Sequence, residues 1–112
     1  MIKLIVAIKR NAEMTPDEFH AYWRTEHAQK VRALPASARY VRRYVQAHTM
    51  AAEYTGGEPA FDGTAELWFD SVADKDAFYS DPEYLALVQP DERVFADMAR
   101  TLFFVTEEET VV

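Results

Sequence analysis

The chain predicts an α+β fold with the element order β-α-β-β-α-β. Three observations carry that expectation. Short β-rich runs stand near both ends and in the middle of the chain, each bounded by polar or turn-forming residues. Two stretches between them open on helix-start signatures. A length of 112 residues, with 49% hydrophobic and 28% charged residues, suits one globular domain over residues 1–112. The architecture this order specifies is a four-stranded antiparallel sheet with helices on one face, the split βαβ or ferredoxin-like arrangement.

Ile2 to Lys9 is rich in Ile, Leu and Val and apolar on both faces, as in a strand covered on both sides. Thr15-Pro16-Asp17-Glu18 supplies an N-cap, a proline at the first helical position and a glutamate at the third. The helix is expected to run to about Leu34 and stop at Pro35. Arg39 to His48 alternates well enough to be a strand, and Gly63 to Asp70 is a second. Thr49 to Asp62, between them, holds two of the three glycines and is long for a connection in so small a domain. Ser71 to Asp74 opens a helix to about Tyr79. Pro82 and Pro90 restart helix towards Ala99, and Thr101 to Thr106 is the last strand.

One sheet face has no helix to cover it. If Tyr40, Tyr44, Glu66 and Trp68 face the helices, then Val41, Val45, Leu67 and Phe69 lie on the bare face. Such a face calls for a second copy, and a homodimer through the sheet is expected.

Composition narrows the function. Twelve basic and nineteen acidic residues give a net charge of −7, which argues against nucleic acid and anionic membrane as partners. Without cysteine there is no disulfide, thiolate ligand or thiol nucleophile. The apolar opening runs straight into Lys9-Arg10 and lacks the form of a secretory signal, so a cytoplasmic location is expected. Aromatics make up 13% of the chain, more than a small core needs, and an aromatic-lined pocket or an aromatic interface would account for the surplus.

Phe19, Trp23 and His27 lie at i, i+4 and i+8 on the first helix, which turns His27 towards the sheet. A buried histidine satisfied by a carbonyl or a tyrosine is one reading. A general acid/base in an apolar pocket is the other, with burial favouring the neutral base. Tyr40, Arg42, Tyr44, Gln46 and His48 alternate onto one strand face, and Glu66 and Trp68 share a face of the neighbouring strand. The expected pocket gathers Trp23, His27, Tyr40, Arg42, Tyr44, Glu66 and Trp68. Tyr40 could stabilise a carbonyl gaining negative charge, and Arg42 could hold a carboxylate or enolate, or simply pair with Glu66. Both tryptophans serve as walls. His48 is a strand end or a second acid/base, and His20 is expected to be exposed. His20 and His27 are about 10 Å apart along the helix and cannot share a tetrahedral metal ion. No metal or nucleotide motif is present.

The segment Phe19 to Ala28, FHAYWRTEHA, resembles the F-x-x-Y-W-x-x-x-H signature of the EthD-like proteins, of the dimeric α+β barrel superfamily. The opening strand, RRYVQAH, AELWF and the chain end also stand where that family has its counterparts. Members often follow the histidine with Gly-Pro, where this chain has Ala28-Gln29. The resemblance implies a ferredoxin-like protomer that closes a barrel with a second copy. It implies a pocket between sheet and helices, and proton transfer on a lactone, phenol or polyketide-like ring without a cofactor. Isomerase, cyclase and dehydratase chemistry all fit. A non-catalytic accessory protein of a degradation or biosynthetic pathway and a cofactor-free oxygenase are the alternatives. Haem-binding relatives take their axial histidine from the later helix, and Ser71 to Ala99 contains none.

Overall fold

The computed structural model describes residues 1–112. Strand β1 (Ile2–Ile8) leads to helix α1, which begins as Pro16–Tyr22, passes through a π-helical turn at Trp23–His27 and ends as Ala28–Ala33. A short helix α2 (Pro35–Tyr40) precedes β2 (Arg43–His48). The connection to β3 (Gly63–Phe69) contains one 3₁₀ turn, Ala51–Tyr54. Helix α3 (Val72–Tyr79) is followed by α4, a π-helical turn at Tyr84–Val88 continued by Gln89–Phe95, and then by β4 (Leu102–Thr106). The sheet order is β2-β3-β1-β4, antiparallel throughout, with the helices on one face. This is the expected ferredoxin-like fold.

The capping signals act as their chemistry requires. The Thr15 hydroxyl accepts from the Glu18 amide at 3.1 Å, and the Glu18 carboxylate accepts from the Thr15 amide at 2.9 Å. Pro35 corrects one expectation. It does end α1, but Leu34 becomes extended and Pro35 starts α2 as its first residue. Arg39 and Tyr40 are therefore helical, and β2 begins only at Arg43. The last helix likewise ends at Phe95 and not at Ala99.

The register corrects a second expectation. Tyr44 pairs with Leu67 and Arg43 with Trp68, so Tyr44, Gln46 and His48 face the helices together with Ala65, Leu67 and Phe69. Glu66 and Trp68 face the other way. Burial explains the choice: Ala65, Leu67 and Phe69 join Leu4, Val6, Phe19, Trp23, Phe78 and Phe95 in one core. The open face instead presents Ile5, Val45, Trp68, Leu102 and Phe104, with Leu102 55% and Phe104 48% exposed. Lys3 bonds to Glu66 there and lies 4.6 Å from the Trp68 ring, and Arg43 covers the same ring at 4.8 Å. No helix of the chain is long and apolar enough to cross a membrane.

Candidate functional site

The site begins with an imidazole on a buried helix face. Phe19 and Trp23 lock α1 onto the sheet, both virtually without exposure. Gly63 is what lets Trp23 lie so close. A Cβ at that position would stand 2.6 Å from the indole and 2.5 Å from the Ala47 carbonyl oxygen. His27 follows one turn later and is 6% exposed.

His27 Nδ1 lies 2.9 Å from an Asp91 carboxylate oxygen. The other Asp91 oxygen accepts from Lys30 Nζ at 2.9 Å and from the Tyr22 hydroxyl. Burial opposes the charge on Asp91, but the Tyr22, Lys30 and His27 bonds outweigh it and hold the carboxyl below its usual range. An ionised Asp91 accepts only, so Nδ1 carries the ring hydrogen and the Nε2 lone pair is left free. Burial pushes the His27 pKa down from its ordinary 6.5, more than the Asp91 bond pushes it up. The ring is thus a neutral, oriented base.

Beside it is a narrow cavity lined by 18 residues, of which 15 are hydrophobic. The free space inside is about 40 Å³, room for about a water, so a ring-sized ligand enters only as these apolar walls move apart. Trp23, His27 and Tyr44 contribute from α1 and β2, and Tyr79, Tyr84 and Glu92 from the second half of the chain. The Tyr84 hydroxyl donates to Glu92 at 2.9 Å. Burial raises the Glu92 pKa more than that bond lowers it. The lining therefore offers one base, at His27, and one hydroxyl–carboxyl pair, at Tyr84 and Glu92.

The structure brings together three of the residues expected in the pocket: Trp23, His27 and Tyr44. It separates four. Tyr40, at the end of α2, lines an outer groove with Pro35 and Arg39. Arg42 is exposed and pairs with Asp70 at 3.0 Å, not with Glu66. Glu66 and Trp68 are on the opposite face of the sheet. Two causes act: α2 consumes the start of the expected strand, which removes Tyr40 and Arg42, and the β3 register points its apolar set inward, which turns Glu66 and Trp68 outward. His20 is not exposed as expected either. It is half-buried, with Nδ1 2.7 Å from His48 Nδ1.

Sequence reasoning missed Asp91, Glu92, Tyr79 and Tyr84. A signal was available, since Tyr84, Val88, Asp91 and Phe95 follow helical spacing and place a carboxylate on an otherwise apolar stripe. That is the same anomaly that singled out His27.

With this geometry in view, the chain can be set beside known proteins. The model of the EthD domain matches residues 11–99, and the chain belongs to that family. No curated protein sequence matches it. Among solved structures, it is similar to an ethyl tert-butyl ether d (EthD) family protein from Bacillus halodurans, at 20% identity and a TM-score of 0.72, over 97% of this chain and 99% of that one. A dimeric protein of ferredoxin-like fold from Bacteroides fragilis gives 19% identity and a TM-score of 0.69, over 96% and 95%. SnoaB, a cofactor-independent oxygenase from Streptomyces nogalater, gives 9% identity and a TM-score of 0.65, over 99% and 95%.

Proposed function

We propose that this protein binds a small hydrophobic oxygenated ring, such as a lactone, phenol or polyketide-like compound, and moves a proton on it with His27 as general base. The observation that carries this reading is the His27–Asp91 pair at the wall of an apolar cavity. Asp91 fixes the tautomer and stabilises the imidazolium that forms when Nε2 takes a proton. The apolar walls hold the ring, and Tyr84 with Glu92 anchors an oxygen of the ligand. Tyr44 and Trp23 complete the walls. Proton transfer of this kind serves an isomerase, a cyclase or a dehydratase, and needs no cofactor.

The protein works as a homodimer through its open sheet face. Leu102 and Phe104 are too exposed for a lone protomer, and the Bacteroides fragilis protein of the same fold is dimeric.

The test compares the wild type with His27→Ala and Asp91→Asn on a panel of lactones and phenolic acids, with product and oxygen uptake followed together. His27→Ala is expected to lower turnover by about 10²–10⁴-fold, the usual worth of a general base. Unchanged turnover in His27→Ala would remove the base from the proposal. Tight binding with no product in the wild type identifies an accessory protein instead. Oxygen consumed in step with product identifies a cofactor-free oxygenase, the activity of the structurally similar SnoaB.

A further inference from the structure

Away from the cavity, a second set of polar side chains joins three elements. His20 on α1 faces His48 at the end of β2, Nδ1 to Nδ1, at 2.7 Å. His20 Nε2 lies 3.0 Å from the Tyr54 hydroxyl oxygen, and Tyr54 donates to Asp62 at 2.7 Å. His48 Nε2 lies 2.9 Å from Gln46 Oε1. The Gln46 amide nitrogen donates to the Trp23 carbonyl at 2.9 Å and to the Tyr44 hydroxyl at 3.2 Å.

Both ends of this chain have a fixed polarity. Asp62 is fully buried, and burial disfavours its charge. The Tyr54 hydroxyl, the Arg10 amide and the charges of Lys9 and Arg10 outweigh burial and keep it ionised, so it accepts only. Tyr54 spends its one hydrogen on Asp62, and His20 Nε2 must donate to Tyr54. At the other end the Trp23 carbonyl accepts only, which orients the Gln46 amide. Gln46 Oε1 then accepts from His48 Nε2. The Nδ1···Nδ1 contact needs one more hydrogen. Two neutral imidazoles carry two ring hydrogens, and these contacts require three.

We propose that His20 and His48 together hold three ring protons, the third shared between their Nδ1 atoms, and that this proton clamps the 49–62 loop onto α1. The bonds from His48 to Tyr54 can coexist only in that singly charged pair. The groups facing the pair are Asp17 and Arg24 on α1, Arg10 after β1, and Tyr54 and Asp62 of the loop. Burial pushes both rings below the ordinary 6.5, His48 to about 4 with Arg24 and His20 adding to it, and on His20 it outweighs the opposite pull of Asp62. The Nδ1–Nδ1 bond, which only the charged pair can make together with the other contacts, acts against burial and holds the first proton. A second charge is therefore excluded, and the first belongs on His20. When the shared proton leaves for solvent, a lone pair faces a lone pair either between the rings or between His20 and Tyr54, and the clamp opens. Trp23 feels the change directly, because its indole lies 4.5 Å from the His48 ring, centroid to centroid, and lines the ligand cavity. The device is thus a pH-sensitive hold on one wall of the site, and it does not depend on what the cavity binds.

Nitrogen-15 spectra of the imidazoles in the 112-residue chain count the ring hydrogens, and amide exchange at Thr49 and Asp62 reads the loop. At pH 6 the pair is expected to show three ring hydrogens, falling to two as the pH is raised to 9. Loop protection is expected to fall about tenfold with that loss, the factor that one pKa unit of linkage implies. In His48→Asn the side-chain amide can donate to Nδ1 of a neutral His20, so the loop stays held and its change in protection shrinks to below about twofold. Two ring hydrogens at pH 6 would overturn the proposal. So would loop protection in the wild type that is indifferent to the loss of the third, or a His48→Asn variant that keeps the full response.

Discussion

At the scale of single residues, the site turns on a histidine kept neutral and a carboxylate kept charged. The folded chain favours neutral His27, while the unfolded chain takes up a proton at the ordinary 6.5. Its contribution to stability is therefore complete above pH 6.5 and is lost as the pH falls from there towards the lower folded value. Urea denaturation between pH 7.5 and pH 5 should show a steeper loss in the wild type than in His27→Gln. Equal slopes would mean that His27 titrates alike in both states. Asp91→Asn leaves one neutral carbonyl oxygen where His27, Lys30 and Tyr22 share a charged carboxylate, and should cost about 2 kcal/mol in the same measurement, the typical worth of a charged hydrogen bond. His27 was legible in the sequence because an imidazole stands out on an aromatic stripe. Asp91 carries a similar signal, a carboxylate on the apolar stripe of Tyr84, Val88 and Phe95, but it is masked because it also reads as an ordinary acid in the first turn of a proline-started helix.

At the scale of elements, the two π-helical turns are the features that position the site. One carries Trp23 and His27, and the other carries Tyr84 and Val88. Each widens its helix by one residue and rotates the following side chains, a device often found at functional sites. Ala28-Gln29 carries no helix breaker and lets α1 continue past His27 to Ala33. Nothing in local propensity announces a π turn, so the helix was predictable and its bulge was not. The contact of α1 with the β2–β3 edge is set by Gly63. Gly63→Ala would press a methyl group into the Trp23 indole and the Ala47 carbonyl, and should lower stability by about 2 kcal/mol, within the usual cost of overpacking. A thermal melt measures it, and an unchanged melting temperature would show that Trp23 can withdraw without cost.

At the scale of the whole molecule, the exposed side of the sheet is where the proposed dimer would form. Leu102 and Phe104 flank a patch held in place by the Lys3–Glu66 and Trp68 contacts. Sedimentation at micromolar concentration should show a dimer for the wild type and a monomer for Phe104→Glu, since a buried carboxylate without a partner is costly at an interface. A wild-type monomer would show that this face is stable in water.

The sequence by itself determined the β-α-β-β-α-β order of the main elements, though not the short helix α2, together with the sheet topology that follows from it, the helix starts at Thr15 and Ser71, and the direction in which Trp23 and His27 point. These depend on local chemistry: caps, prolines and the period of apolar residues. Only the tertiary structure decided which strand face is inside, that Tyr40, Arg42, Glu66 and Trp68 lie apart from His27, and that Asp91 meets His27 across 64 positions. Those outcomes depend on register and on contacts between distant segments. A shift of one residue in pairing exchanges the two faces of a strand, and no local signal reports it.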